Sequence, residues 1–182
     1  FAVQLVSDWV ERGLLTPSSE GFRLADDSII DIPDDMHEVW NSRIARLLES
    51  HGPTDEVALE LGAALGDRVE FDEWRAACAR SRARPSARLV DDMERLSLAR
   101  ADDHGWTFAH PMLRDSLERR AREQGRRARH HRTCATMLEL QHPGTARPEV
   151  LERIARHLRE AGDELDALDY LVRAAARHLA QG

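Results

Sequence analysis

The stretch 105–117 constrains the fold more than any other part of the chain, because its hydrophobic period changes within a few residues. Residues 105–109 form an apolar-polar run that is typical of a short strand. Pro111 follows His110, and proline favours the first position of a helix, where its missing N–H would have no intrahelical partner. Apolar residues within 112–117 then fall at helical spacing. The sequence therefore predicts a strand that leads into a helix, with His110 at the junction.

The position of His110 has two interpretations. Backbone N–H groups at the start of a helix favour anions, so an imidazole placed beside them can contact a phosphate. The other interpretation is a polar cap that closes a hairpin onto the next helix and binds no ligand. The residues alone favour the cap, because short motifs give frequent false matches.

Residues 108–115 read Phe-Ala-His-Pro-Met-Leu-Arg-Asp and resemble the Phe-x-His-Pro-Leu-x-Arg-Asp signature in the winged-helix region of STAND-class signalling ATPases. That class includes bacterial ATPases fused to kinases, cyclases or transcription regulators. Its motif histidine contacts the β-phosphate of bound ADP and holds the closed, inactive state, so the resemblance implies this role for His110. The eukaryotic Met-His-Asp version has an aspartate where this chain has Pro111, so the aspartate's role has no counterpart here.

The segments before this motif agree with the order of a winged helix. Hydrophobic spacing predicts helices, and the turn at 102–105 predicts a hairpin, or wing, that follows them. The winged-helix order is three helices followed by a hairpin, and the last three of the four predicted helices precede the hairpin in that order. The pattern Arg43-Ile44-x-Arg46-Leu47 also resembles the start of this domain in STAND proteins. The predicted helices cover about 36–50, 54–65, 71–80 and 86–98, and the predicted hairpin covers 99–109.

The first 33 residues resemble the end of the ATPase lid region. A helix is predicted to about Arg12, and Gly21–Leu24 is expected to pair with 28–32 in a small hairpin within an otherwise turn-rich stretch. The chain begins inside this helix without an N-cap, so we expect it to be a segment of a longer protein.

The last third of the chain predicts antiparallel helices. A helix at 126–140 and a loop at 141–147 precede 148–181, which has the length of one tetratricopeptide unit. Small and apolar residues fall where such a unit packs its two helices, namely Ile154, Ala155, Leu158, Gly162, Ala167, Leu171 and Ala174. We therefore expect a mainly α fold, with a winged-helix domain at 34–125 and a helical linker plus first repeat at 126–182.

Composition limits the alternatives. Aromatic residues make up only 5% of the chain, which argues against a β-sandwich or barrel. No apolar run approaches the length of a membrane helix, so a cytoplasmic protein is expected. Cys78 and Cys134 lie far apart and form no metal or redox motif, so we expect reduced thiols.

All 26 basic residues are arginines, which excludes a P-loop within this chain because that motif requires lysine. No nucleophile and base stand out as a catalytic pair, so we do not expect an enzyme. ATP or ADP is implied only for the longer parent protein, and no cofactor is expected within this segment. The predicted partners are proteins that contact the repeats, together with the ATPase domain.

A winged-helix DNA-binding module is the alternative function. Residues 114–132 hold eight arginines and three acids, a surplus that phosphates favour. Against this, the whole chain carries a net charge of −7, and the predicted helix at 86–98 contains three acids. The residues that would contact nucleic acid or another partner are Arg119, Arg122, Arg126, Arg127 and Arg129.

His130, His131 and Cys134 could supply one face of a metal site, but packing or surface roles are expected because no second ligand pair is evident.

Overall fold

The computed structural model describes residues 10, 15–18, 21–24, 36–143 and 147–181. These residues form a mainly helical protein with short antiparallel strands. None of the described helices has the length and apolar character needed to cross a membrane. The helices are α1 (Met36–Leu48), α2 (Pro53–Leu65), α3 (Phe71–Arg80), α4 (Leu89–Arg95), α5 (Pro111–Glu123), α6 (Arg127–Gln141), α7 (Pro148–Ala161) and α8 (Glu164–Gln181). The strands are β1 (Leu15–Ser18), β2 (Gly21–Leu24), β3 (Arg68–Glu70), β4 (Ala99–Ala101) and β5 (Gly105–Phe108).

The helices predicted within the described residues are confirmed, with one shortened. The predicted bounds of α3 agree with the structure, whereas the helix expected at 86–98 covers only α4. The structure explains this difference at both ends. The Ser86 backbone N–H donates to the Asp55 carboxylate at 2.6 Å, and Ser97 adopts a left-handed φ of 55°, which ends the helix.

The first predicted hairpin needs a correction. β2 pairs antiparallel with β1, in a segment that the sequence analysis assigned to turns. The expected partner, 28–32, lies outside the described residues, as does the helix predicted to end near Arg12, apart from Val10.

The predicted hairpin at 99–109 is confirmed and belongs to a three-stranded sheet. β4 and β5 pair antiparallel, with Ala99 opposite Phe108. The sequence analysis missed β3, which pairs with the other edge of β5 and gives the strand order β3-β5-β4. Gly105 lies where β3 and β5 approach closely, since an added Cβ would be 2.2 Å from the Val69 carbonyl oxygen.

Helix α2 lies at the centre of the core. Its residues from Ala58 to Leu65 are all buried, and it contacts α3, α5 and α6. Small side chains allow these close approaches, and Gly62 leaves room for the Trp106 ring of β5. Trp106 in turn packs edge-to-face against Trp74 of α3, with ring centroids 5.7 Å apart. The sheet and the helices therefore share one core built around α2.

Helices α6, α7 and α8 pack one on the next in chain order. Only Gly162 and Asp163 separate α7 from α8, and Gly162 has the left-handed φ of 85° that a tight helix end requires. His178, late in α8, reaches Glu152, early in α7, at 3.0 Å, so these two helices are antiparallel. The residues predicted to pack inside this pair are buried except Leu171, which is 45% exposed, and Gly162, which forms the turn.

We expect Gly62→Ala to lower the free energy of unfolding by about 1–3 kcal/mol. The added Cβ would lie 2.7 Å from Cη2 of Trp106. Alanine is otherwise favoured over glycine in a helix by up to about 1 kcal/mol. A net loss of stability would therefore show that the clash with Trp106 outweighs this preference. Urea unfolding followed by circular dichroism measures the change.

The cost of Gly62→Ala should shrink when Trp106 is replaced by the smaller phenylalanine, which removes the far end of the ring. A double-mutant cycle tests this coupling. Equal costs in the two backgrounds would show that Gly62 is not needed for this contact.

Candidate functional site

His110 begins helix α5 and caps it. Its backbone is extended, with φ −149° and ψ 136°, and its Nδ1 accepts a hydrogen bond from the Met112 backbone N–H at 3.2 Å. This contact satisfies one of the N–H groups that a helix start leaves unpaired. Pro111 occupies the first helical position, as the sequence predicted. His110 therefore caps α5, as the capping interpretation expected.

The hydrogen bond at Nδ1 also determines the role of the other ring nitrogen, Nε2. Because Nδ1 accepts a hydrogen bond, the neutral ring carries its proton on Nε2. Within the described ranges, no hydrogen-bond acceptor faces Nε2, and the side chain is only half-buried. His110 can therefore donate a hydrogen bond from Nε2 to an external oxygen while it continues to cap α5.

Helix α1 holds the ring of His110 in place. The indole of Trp40 stacks on it, with centroids 5.2 Å apart and planes inclined by 24°. The guanidinium of Arg43 also lies over the Trp40 ring, 5.4 Å from the ring centroid. Arg43 donates to the Leu96 carbonyl at 2.8 Å, which ties this stack to the end of α4. Trp40 and His110 lie 70 positions apart in the chain, so no local sequence pattern connects them.

The five arginines proposed for nucleic-acid or partner contact do not form one free cluster. Arg126 binds the Glu60 carboxylate at 2.6 Å, and Arg127 bridges Glu118 and Glu160. Arg119 pairs with Glu123 on the same helix. Arg122 and Arg129 are exposed and have no ion pair with another described residue. Three of these five arginine charges are thus balanced by carboxylates from α2, α5 and α7.

Glu60 lies in the interior between α2 and α6. Its side chain is fully buried, with Arg126 on one side and His130 Nε2 at 2.8 Å on the other. Burial by itself raises the pKa of Glu60, but the hydrogen bonds from His130 and Arg126 outweigh it, so the pKa lies below its usual range. The carboxylate stays charged and joins the two helices.

A second buried network connects α5, α6 and α7. The Nδ1 atoms of His131 and His157 are 3.0 Å apart, and Arg156 can only donate to His157 Nε2, at 3.4 Å. His157 therefore donates from Nδ1 to His131, whose Nε2 lies 3.5 Å from Glu118. Burial raises the pKa of Glu118, but hydrogen bonds from His131 and Arg127 bring it down to about 2.

The histidine and cysteine group considered for a metal has other partners. His130 binds Glu60, His131 contacts His157, and Cys134 lies fully buried in the core. Burial raises the pKa of the Cys134 thiol above its usual range and that of Cys78 to about 12, so both side chains act as small apolar residues. Packing explains this group, as the sequence analysis expected.

Comparisons of the chain with protein-family models, with curated proteins and with solved structures found no match.

Because His131 and His157 form a buried pair, we expect the free energy of unfolding to decrease in mild acid. Burial lowers the pKa of His157 to about 3, and the charge of Arg156 adds to this shift. The unfolded chain takes up the same proton near an ordinary pKa of about 6.5. The contribution of neutral His157 to the free energy of unfolding is therefore fully present above pH ~6.5, and it decreases as the pH drops towards ~3.

Urea unfolding at pH ~7.5 and ~5 should show this difference when wild type and His157→Gln are compared. We expect the wild type to lose roughly 2 kcal/mol more than the variant over this interval. His104→Gln, at an exposed turn position, is the control and should behave as the wild type. If wild type and His157→Gln lose stability in parallel, the ring is not held neutral as described.

Proposed function

We propose that this chain is a non-catalytic regulatory segment of a STAND-type ATPase, which couples the nucleotide state to protein binding. The observation that carries the proposal is the geometry of His110 at the junction of β5 and α5. Its Nδ1 is engaged by the helix, its ring is fixed on Trp40, and its Nε2 has no acceptor within the described residues. This arrangement suits a hydrogen bond to a phosphate oxygen of ADP in the longer protein.

The order of elements supports a winged-helix domain. Helix α2, strand β3, helices α3 and α4, and the β4–β5 hairpin follow one another in the chain. The sheet order β3-β5-β4 places the first strand of this segment beside the last, which fixes the hairpin against the helices that precede it. The His110 junction then directly follows the hairpin, where the STAND motif has its histidine.

The helices α7 and α8 support the start of a tetratricopeptide array. They form an antiparallel pair with a two-residue connection and buried small residues at the contact, Ala155, Ala167 and Ala174. A single pair of this kind cannot bury both of its faces, and repeat arrays cover the open face with the next helix.

Helix α8 carries the surface that such a helix would cover. Its large apolar residues are strongly exposed, including Leu165 at 85% and Leu179 at 85%. The stripe of Leu165, Leu168, Val172, Ala175 and Leu179 has the alternating three- and four-residue spacing of a helix-packing seam. We propose that this α8 seam receives a further helix of the array.

The buried networks offer a physical route between the two ends. His110 caps α5, and α5 supplies Glu118, which contacts both Arg127 and His131 of α6. The same α6 residues contact Glu160 and His157 of α7, which packs against α8. A shift of α5 on nucleotide exchange would thus change contacts that position α7 and α8. Such coupling requires two discrete arrangements that both ligands bias, and it is reciprocal.

A DNA-binding winged helix has less support. Helix α4 exposes Asp91 and Glu94, and these acids would face the phosphates if α4 entered a major groove. The arginine patch on α5 and α6 is largely paired with carboxylates. Salt-dependent retention of this chain on duplex DNA, weakened by neutralising Arg122 and Arg129, would favour this alternative.

Two substitutions in the full-length protein separate the capping role of His110 from its proposed role in nucleotide binding. His110→Ala removes both the cap and the Nε2 donor, whereas His110→Asn keeps a good capping side chain. We expect both variants to bind ADP at least about tenfold more weakly, since a hydrogen bond to a charged group contributes roughly 1.5–3 kcal/mol. Calorimetric titration measures the dissociation constant.

Thermal unfolding separates the two roles. His110→Asn should unfold close to the wild-type temperature, whereas His110→Ala should unfold earlier because the cap is lost. Wild-type ADP affinity in His110→Asn would reduce His110 to a structural cap and remove the nucleotide-sensing role.

A further inference from the structure

Helix α3 and the loop that follows it carry an arginine cluster that differs from the one on α5 and α6. Residues 74–90 contain five arginines and no acid. All five are exposed. They are Arg75, Arg80, Arg82, Arg84 and Arg88. The segment therefore presents positive charge on a chain whose net charge is −7.

Three of these arginines surround a concavity of about 640 Å³, which we call the Arg82 concavity. Its rim is formed by Arg75, Arg82 and Arg84. Its floor is apolar and is formed by Cys78, Ala79, Ala83 and Pro85. Cationic side chains around an apolar floor suit a ligand that has both carboxylates and apolar groups.

The rim guanidiniums remain available for a ligand. Arg82 and Arg84 have no ion pair with any other residue that the structure describes, unlike Arg126, Arg127 and Arg153, each of which binds a carboxylate. Arg75 makes a long contact with Asp72, 3.7 Å, and its guanidinium lies over the Phe71 ring, 5.0 Å from the ring centroid. The charge at this concavity is therefore not balanced by nearby carboxylates as it is on α5 and α6.

The loop that carries the rim is held in a defined conformation. The Asp55 carboxylate accepts the backbone N–H groups of Gly52 at 2.9 Å and Ser86 at 2.6 Å. The Thr54 hydroxyl donates to the Arg84 carbonyl at 3.2 Å, and the Ala83 N–H donates to the Cys78 carbonyl at 2.9 Å. A loop fixed in this way loses little conformational entropy when it binds a ligand.

Arg82 occupies a backbone position that glycine would fill without strain. Its φ is 56°, and it follows the end of α3 at the place where Gly125 follows the end of α5. A left-handed conformation is unfavourable for a residue with a Cβ. Arginine at this position therefore costs stability while it places a guanidinium on the rim, a combination typical of binding sites.

We propose that the Arg82 concavity binds an acidic, partly apolar segment of a protein partner. The rim arginines would bind its carboxylates, and its apolar side chains would lie on the floor. A protein segment is favoured over nucleic acid because the neighbouring depression includes Asp91 and Asp102. These acids would repel a continuous phosphate backbone, whereas a short segment needs to cover only the concavity. The proposal is independent of the ATPase assignment.

Fluorescence anisotropy with this chain tests the proposal directly. The probe is a short labelled peptide in which glutamates alternate with leucines, and the control probe has glutamine in place of glutamate. We expect Arg82→Gly and Arg84→Gln to raise the dissociation constant of the glutamate peptide by on the order of tenfold. The glutamine peptide should bind weakly to every variant.

Two matched variants control for charge and for backbone strain. Arg159→Gln removes an exposed arginine from α7 and should leave peptide affinity unchanged. Ser97→Gly relieves the same left-handed strain at the end of α4, where φ is 55°. Both Arg82→Gly and Ser97→Gly should raise the unfolding temperature by roughly 2–4 °C, but only Arg82→Gly should weaken peptide binding.

Three results would overturn the proposal. Equal peptide affinity in Arg82→Gly, Arg84→Gln and Arg159→Gln would show that the rim is not the binding site. Equal binding of the glutamine peptide would show that the carboxylates are not recognised. Tighter binding of labelled duplex DNA than of the glutamate peptide, lost on Arg84→Gln, would assign the site to nucleic acid instead.

Discussion

The burial of α2 on every side from Ala58 to Leu65 is the constraint on which the rest of the structure depends. A helix that is buried all round must offer close approaches to several neighbours at once, and the small residues Ala58, Gly62 and Ala63 permit them. Glu60 lies in the same helix with a fully buried carboxylate, so α6 must supply Arg126 and His130 to it. An unpaired charge there would be strongly destabilising. Packing and charge pairing together fix α6 against α2.

This arrangement means that the two halves of the chain share one core. Buried residues of α1, such as Trp40, and of α6, such as Cys134, belong to the same apolar cluster. Arg153 of α7 also reaches back to Glu73 of α3 at 2.5 Å. The division predicted at 125/126 therefore lies between helices that pack on common neighbours. The helices on both sides of this division therefore belong to one apolar cluster.

Local patterns were sufficient for most of the helices, for one hairpin and for the cap. The bounds of α3, the β4–β5 hairpin and the His110-Pro111 helix start all follow from residues close in sequence. The sequence analysis failed where the contact is distant. β3 has only three residues and is defined by its pairing with β5. The partners of Arg126 and His130 lie 66 and 70 positions away, so a count of charges in 114–132 could not show that the patch is neutralised.

Native-state hydrogen exchange in increasing denaturant tests the shared core most directly, because it reports the opening free energy of each helix separately. The account predicts that the most protected amides of α2, α6 and α7 open together, with the free energy of global unfolding. Exchange of α6 and α7 through a separate opening of lower free energy, while α2 remains protected, would contradict it. In that case the networks around Glu60 and His157 would not connect the two halves.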